Sequence, residues 1–168
     1  MTLSELNALD RDAFTRALGG VFEHSPWVAH EAWQRRPFAN LDALHRAMRQ
    51  VVGDAGHERQ LALIRAHPEL AGRAMVRREL TADSRFEQSG AGLDQCSPAE
   101  FERLHALNAD YLARFGFPFI LAVKGYDREG IIARFEQRLK NDPAIEFQEA
   151  LAQIGKIARF RLEALLHA

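Results

Sequence analysis

Residues 97–116 read SPAEFERLHALNADYLARFG, and this stretch decides the fold class. Ser97-Pro98 opens a helix, Phe101, Leu104, Leu107, Tyr111, Leu112 and Phe115 lie on one helical stripe, and Gly116 stops it. The same period returns on both sides. Upstream, Asp10 to Phe22 carries Phe14, Leu18 and Phe22 on one stripe, and Ser25-Pro26 reads as N-cap and first residue of a helix over Trp27 to Arg35. Asn40 caps a helix with Leu41, Leu44, Met48 and Val51 or Val52 inward, ending near Gly53, and further helical runs cover Glu58 to Ala66 and Leu70 to Leu80. Downstream, Asp127 to Lys140 and a last helix opened by Asp142-Pro143 complete the pattern. The expectation is an all-α, single-domain multi-helix bundle over residues 1–168.

One segment breaks the period. Phe117-Pro118-Phe119-Ile120-Leu121-Ala122-Val123 is continuously apolar, lacks a polar face and ends at Lys124-Gly125. It reads as a short extended segment, either buried core or the lining of a ligand pocket, since pockets are built largely from apolar surface. Extended backbone inside a helical protein offers N–H and C=O groups that can read a small polar heterocycle.

With 22 basic against 23 acidic side chains the net charge is -1, so no electrostatic footprint for nucleic acid or an anionic membrane is present. A small neutral or weakly anionic molecule is the better partner. Cys96 is the single cysteine, which excludes an internal disulfide framework and a multi-cysteine zinc site. His30-Glu31 lacks the second histidine of a helical zinc motif, so no metal is expected. No span of about 20 apolar residues is present and Met1-Thr-Leu-Ser-Glu-Leu does not read as a signal peptide, so a cytoplasmic location is expected.

The chemistry-bearing residues concentrate between Arg65 and Gln88. Pro68 fixes its own φ and pushes His67 out of the α region, so the preceding helix breaks at or just before His67. The imidazole then sits at a helix end, either as a cap or facing a cleft, and histidine is a residue type suited to acid/base chemistry near neutral pH. Ser84-Arg85-Phe86-Glu87 matches the capping-box pattern, and Gln88 adds one donor and one acceptor beside it. A helix start there would also supply N–H groups for polar substrate atoms. Ser89-Gly90-Ala91-Gly92 lacks a preceding strand and reads as a turn rather than a nucleotide loop.

In the last helix Phe147, Leu151, Ile154, Ala158 and Leu165 define the apolar stripe, and Arg161 falls within roughly 50° of its centre. A guanidinium there must meet either a structural carboxylate or an anionic ligand, because an unpaired buried charge is costly.

Taken together, His67-Pro68-Glu-Leu-Ala-Gly72, Ser84-x-x-Glu87-Gln88-Ser89-x-Ala91-Gly92-Leu93, Phe115-Gly-Phe117-Pro118-Phe119 with Ala122-Val-Lys-Gly125, and Ile157-Ala-Arg-Phe-Arg161-Leu162 closely resemble the 2-oxo-4-hydroxy-4-carboxy-5-ureidoimidazoline (OHCU) decarboxylase family of urate degradation. The resemblance implies an all-α enzyme, usually a homodimer, that converts OHCU to S-allantoin and carbon dioxide without metal or organic cofactor. It assigns the catalytic role to His67, with supporting roles for Glu87 and Arg161. Substrate contacts would come from Pro68, from Ser84, Arg85, Phe86, Glu87 and Gln88, and from Phe119, Ile120, Leu121, Ala122 and Val123. Phe160 stands where the family usually has leucine, on the side of the helix away from Arg161.

The family's substrate explains why such residues suffice. Its carboxylate lies beside an imine-like ring carbon that accepts the electrons left by departing carbon dioxide, so no external electron sink is required. The protein has to hold the carboxylate out of the ring plane, stabilise the enol-like charge and deliver a proton to one face. A binding module on the same scaffold would keep the pocket but need no proton donor, and a helical adaptor would show exposed hydrophobic patches and no closed pocket.

Overall fold

The computed structural model describes residues 1–72, 75 and 78–167. Among these the secondary structure is helical, with one isolated β-bridge between Thr2 and His167. Of the helix expected over Leu70 to Leu80, residues 73, 74, 76 and 77 lie outside the described residues; Leu70 to Gly72 and Arg78 to Leu80 are not helical, and the positive φ of Ala71 and Arg78 is incompatible with a helix at both ends. No described helix is long and apolar enough to cross a membrane. The chain forms two compact units, Met1–Ala66 with Ile154–Ala168, and His67–Gln153.

The first unit begins with α1 (Leu3–Ala8), a short helix that periodicity alone does not reveal; Thr2 and Glu5 close a capping box around its start. Asp10 caps α2 (Arg11–Leu18), which stops at Gly19, earlier than expected, while Phe14, Leu18 and Phe22 are all buried. Pro26, not Ser25, is the N-cap of α3 (Trp27–Ala32), because the Ser25 hydroxyl donates instead to the Glu23 carbonyl at 2.9 Å. A 3-10 turn, Trp33–Arg35, finishes that run. The Asn40 side chain accepts from Ala43 N–H at 2.8 Å and starts α4 (Leu41–Asp54), which presents Leu44, Met48, Val51 and Val52 to the core. In α5 (His57–Arg65), Leu63 and Ile64 are buried. Residues 154–165 of α9 (Pro143–Leu165) add Ala158 and Leu162. Each large apolar side chain so removed from water contributes about 1.5–3 kcal/mol.

The second unit is built on α7 (Pro98–Phe115), whose ends match the sequence reading. Ser97 and Glu100 exchange capping hydrogen bonds, Pro98 takes the first position, and Gly116 adopts φ 75°. Of its stripe, Leu104, Leu107 and Tyr111 are buried, whereas Phe101 and Leu112 are exposed and Asn108 is buried in their place. Asp127 caps α8 (Arg128–Arg138). Residues 117–123 carry neither helix nor strand and every one is buried, in agreement with the break in period. The Phe119 and Phe135 rings stack at 3.9 Å between centroids, and Tyr111 meets Phe119 edge-on at 5.4 Å.

Candidate active site

His67 follows the end of α5 at Arg65, where Pro68 was expected to force a break, and it is buried at 7% exposure. The peptide groups after it are held by two helices. From α6 (Ala82–Gly90), Gln88 Nε2 donates to Glu69 O at 3.3 Å and Gln88 Oε1 accepts from Ala71 N–H at 3.0 Å. From α7, Asn108 Nδ2 donates to Leu70 O at 2.9 Å. Ala71 is kept at φ 52°, a region that costs a non-glycine residue about 1–2 kcal/mol. At Gly72 an added Cβ would lie 2.7 Å from Glu69 Cβ, so the close turn requires glycine there.

The capping box expected at Ser84 and Glu87 is not the start of α6. Thr81 has the extended cap conformation, with φ -58° and ψ 159°, and its side chain accepts from Ser84 N–H at 3.1 Å. Ser84 therefore lies one turn inside the helix, and the N-terminal N–H groups belong to a different place than the sequence pattern suggested. One helix separation places Ser84 and Gln88 on the same face, and both are buried. Glu87 is half-buried beside them, Pro68 is half-buried, and Arg85 and Phe86 point outward, Phe86 at 81% exposure.

The segment from Phe119 to Val123 is anchored at alternate residues. Arg138 Nη1 donates to the Ile120 carbonyl, and Ala122 N–H donates to Gln153 Oε1 at 3.0 Å. The Arg138 guanidinium lies 4.3 Å from the Phe119 ring centroid and pairs with Glu146, which also accepts from Tyr111 OH at 2.7 Å and Asn141 Nδ2 at 3.0 Å. Burial first, then the Glu146 carboxylate, push the Tyr111 phenol well above its usual range. Leu121 and Val123 are buried with Ile120 and Ala122.

Arg161 belongs to the first unit. Its Nη2 lies 2.8 Å from Glu23 Oε2, and its Nη1 donates to Gly20 O at 2.9 Å. The buried arginine has thus met a structural carboxylate, which was one of the two outcomes expected for it. Phe160 next to it is exposed.

Asn108, Arg138 and Glu146 were not among the residues singled out from sequence. A polar Asn108 inside the apolar stripe of α7 was the available signal, as was Arg138 three residues after the inward Phe135. Among the described residues no cluster of three His, Cys, Asp or Glu could hold a metal ion.

Comparison with known proteins adds the remaining observation. A family model described as OHCU decarboxylase matches residues 7–163. The 2-oxo-4-hydroxy-4-carboxy-5-ureidoimidazoline decarboxylase of Haloferax volcanii is 44% identical over 162 residues, 96% of this chain and 94% of that protein. The enzyme of the same description from Halalkalicoccus jeotgali is 43% identical over 165 residues, 98% of this chain and 92% of its own. A crystal structure of (S)-allantoin synthase is similar at TM-score 0.77 and 29% identity, over 99% of this chain and 54% of that one, so the chain spans about half of it.

Proposed function

The chain belongs to the OHCU decarboxylase family, and from that premise we propose that it decarboxylates OHCU to (S)-allantoin with His67 as the acid/base group. The observation that carries this reading is the setting of His67: buried at a helix break, with the three residues after Pro68 held by Gln88 and Asn108. Such fixing is what a directional proton transfer requires.

In the proposed course, His67 takes the proton of the substrate hydroxyl as the carbon–carboxylate bond breaks. The electron pair left by carbon dioxide forms a double bond to the imine-like ring carbon, whose C=N pair moves onto the ring nitrogen and takes up a proton from water, giving an enolate-like intermediate. His67 then returns a proton to one face of carbon, which sets the S configuration. Glu87 orients or tunes the imidazole, and Arg161 keeps a supporting role, its guanidinium held by Glu23 and the Gly20 carbonyl. Pro68, Ser84 to Gln88 and Phe119 to Val123 form the remaining contacts. No metal or organic cofactor enters, because the substrate carries its own electron sink. Residues 1–168 act as one decarboxylase domain in a cytoplasmic homodimer.

The test is the fate of freshly generated OHCU followed by circular dichroism. Addition of the protein is expected to accelerate its decay and give an excess of (S)-allantoin. A binding module would leave the spontaneous, racemic decay unchanged.

A further inference from the structure

We propose that Asn108 is a positioning residue for this reaction: through the Leu70 carbonyl it sets the direction from which His67 delivers its proton. The proposal rests on the decarboxylase reading above and adds to it a residue that lies in none of the site motifs, on a helix they touch only at its last residue, Phe115.

Asn108 stands in the apolar stripe of α7, between Leu104, Leu107 and Tyr111, which are all but fully buried, and is itself 5% exposed. An amide in that position is unfavourable unless both ends are matched. Only one is matched among the described residues. Nδ2 donates to Leu70 O at 2.9 Å, while Oδ1 is buried with no hydrogen-bond partner. A leucine of similar size would fill the same space without the buried Oδ1, and what it would lose is the donor to Leu70 O. The asparagine is therefore poorly explained as packing, and its one satisfied bond goes to the loop that carries the imidazole.

The bond is effective because of what surrounds it. Gln88 grips the peptide groups on either side, at Glu69 O and Ala71 N–H, so three successive residues are fixed from two helices. Ala71 is held at φ 52°, a conformation the loop would leave if released. Pro68 has a fixed φ and restricts His67, so there is little slack between residue 69 and the imidazole. Freeing Leu70 would let the ring drift, and drift on the scale of 1 Å lowers the rate while leaving substrate affinity nearly intact.

Asn108→Leu and Asn108→Asp, which removes the donor at constant shape, are compared with the wild-type protein on OHCU, with activity expressed per folded molecule. Asn108→Leu is expected to melt within a few degrees of the wild type, to lose kcat by about ten- to a hundredfold with KM within about twofold, and to give allantoin of lower enantiomeric excess. Asn108→Asp is expected to show the same loss of kcat, and decides the matter if the leucine variant does not fold. Wild-type kcat and enantiomeric excess in a folded variant, or failure of both variants to fold, would overturn the proposal. A wild-type protein that leaves OHCU decay unaltered would instead remove the decarboxylase reading, and this inference with it.

Discussion

Arg161 and Glu23 form a buried ion pair, Nη2 to Oε2 2.8 Å, with side chains only 4% and 1% exposed. The pair ties the end of α9 to the turn after α2, where Gly20 O also accepts from the guanidinium. Removing one charge from such a pair strands the other, so Glu23→Gln is expected to cost about 3 kcal/mol. For a chain of this length each kcal/mol lowers Tm by about 2–4 °C. Calorimetry of the variant checks this, and an unchanged Tm would contradict it.

Tyr111→Phe removes the hydroxyl that donates to Glu146 and should cost about 1.5–3 kcal/mol, as hydrogen bonds to charged groups do. The pH dependence has a definite sign. The folded state raises the phenol's pKa through burial and the carboxylate beside it, so it retains a proton that the unfolded chain releases. The stabilisation is full below the ordinary tyrosine value of about 10 and is lost as pH rises above it. Urea unfolding should therefore show the wild-type advantage over Tyr111→Phe shrinking above about pH 10.

His45 gives the opposite limb. Burial first, then Arg49 and Arg159, hold its pKa below the usual value, while its Nε2 contact with Gly155 O at 2.7 Å pulls the other way. The folded state thus favours the neutral ring. Its contribution is complete above the unfolded value of about 6.5 and falls away as pH drops below it. Tm measured from pH 7.5 down to 5 is expected to fall more steeply for the wild type than for His45→Gln; parallel slopes would count against this.

Ala71 is a non-glycine residue at positive φ. Ala71→Gly relieves that strain, at the cost of a more flexible unfolded chain, and is expected to be neutral or stabilising by up to about 1 kcal/mol. A clear fall in the denaturation midpoint would mean that the methyl group contributes more than the strain costs.

What could be read from the sequence was local, and what could not was relational. The helix from Pro98 to Phe115 was legible because Ser97-Pro98 and Gly116 punctuate both ends of an apolar stripe. The buried, non-helical run at 117–123 was legible because its polar face is missing. Ser84 and Glu87 misled, since a capping pattern can recur one turn inside a helix already started by Thr81. Arg161 announced that it needed a partner, but nothing local named Glu23. Gln88 offered one donor and one acceptor, and only the fold assigns both to the loop after His67. Asn108 and Arg138 were visible as polar residues facing inward, yet their acceptors, the carbonyls of Leu70 and Ile120, are backbone atoms that no side-chain pattern marks.

The most direct test of His67 as the proton-transfer group is the rate and handedness of allantoin formation by His67→Asn. With Tm within a few degrees of wild type, kcat should fall by roughly 10²- to 10⁴-fold and the product should approach the racemic mixture of spontaneous decay. A folded variant that keeps most of the rate and still yields an excess of the S enantiomer would contradict the assignment.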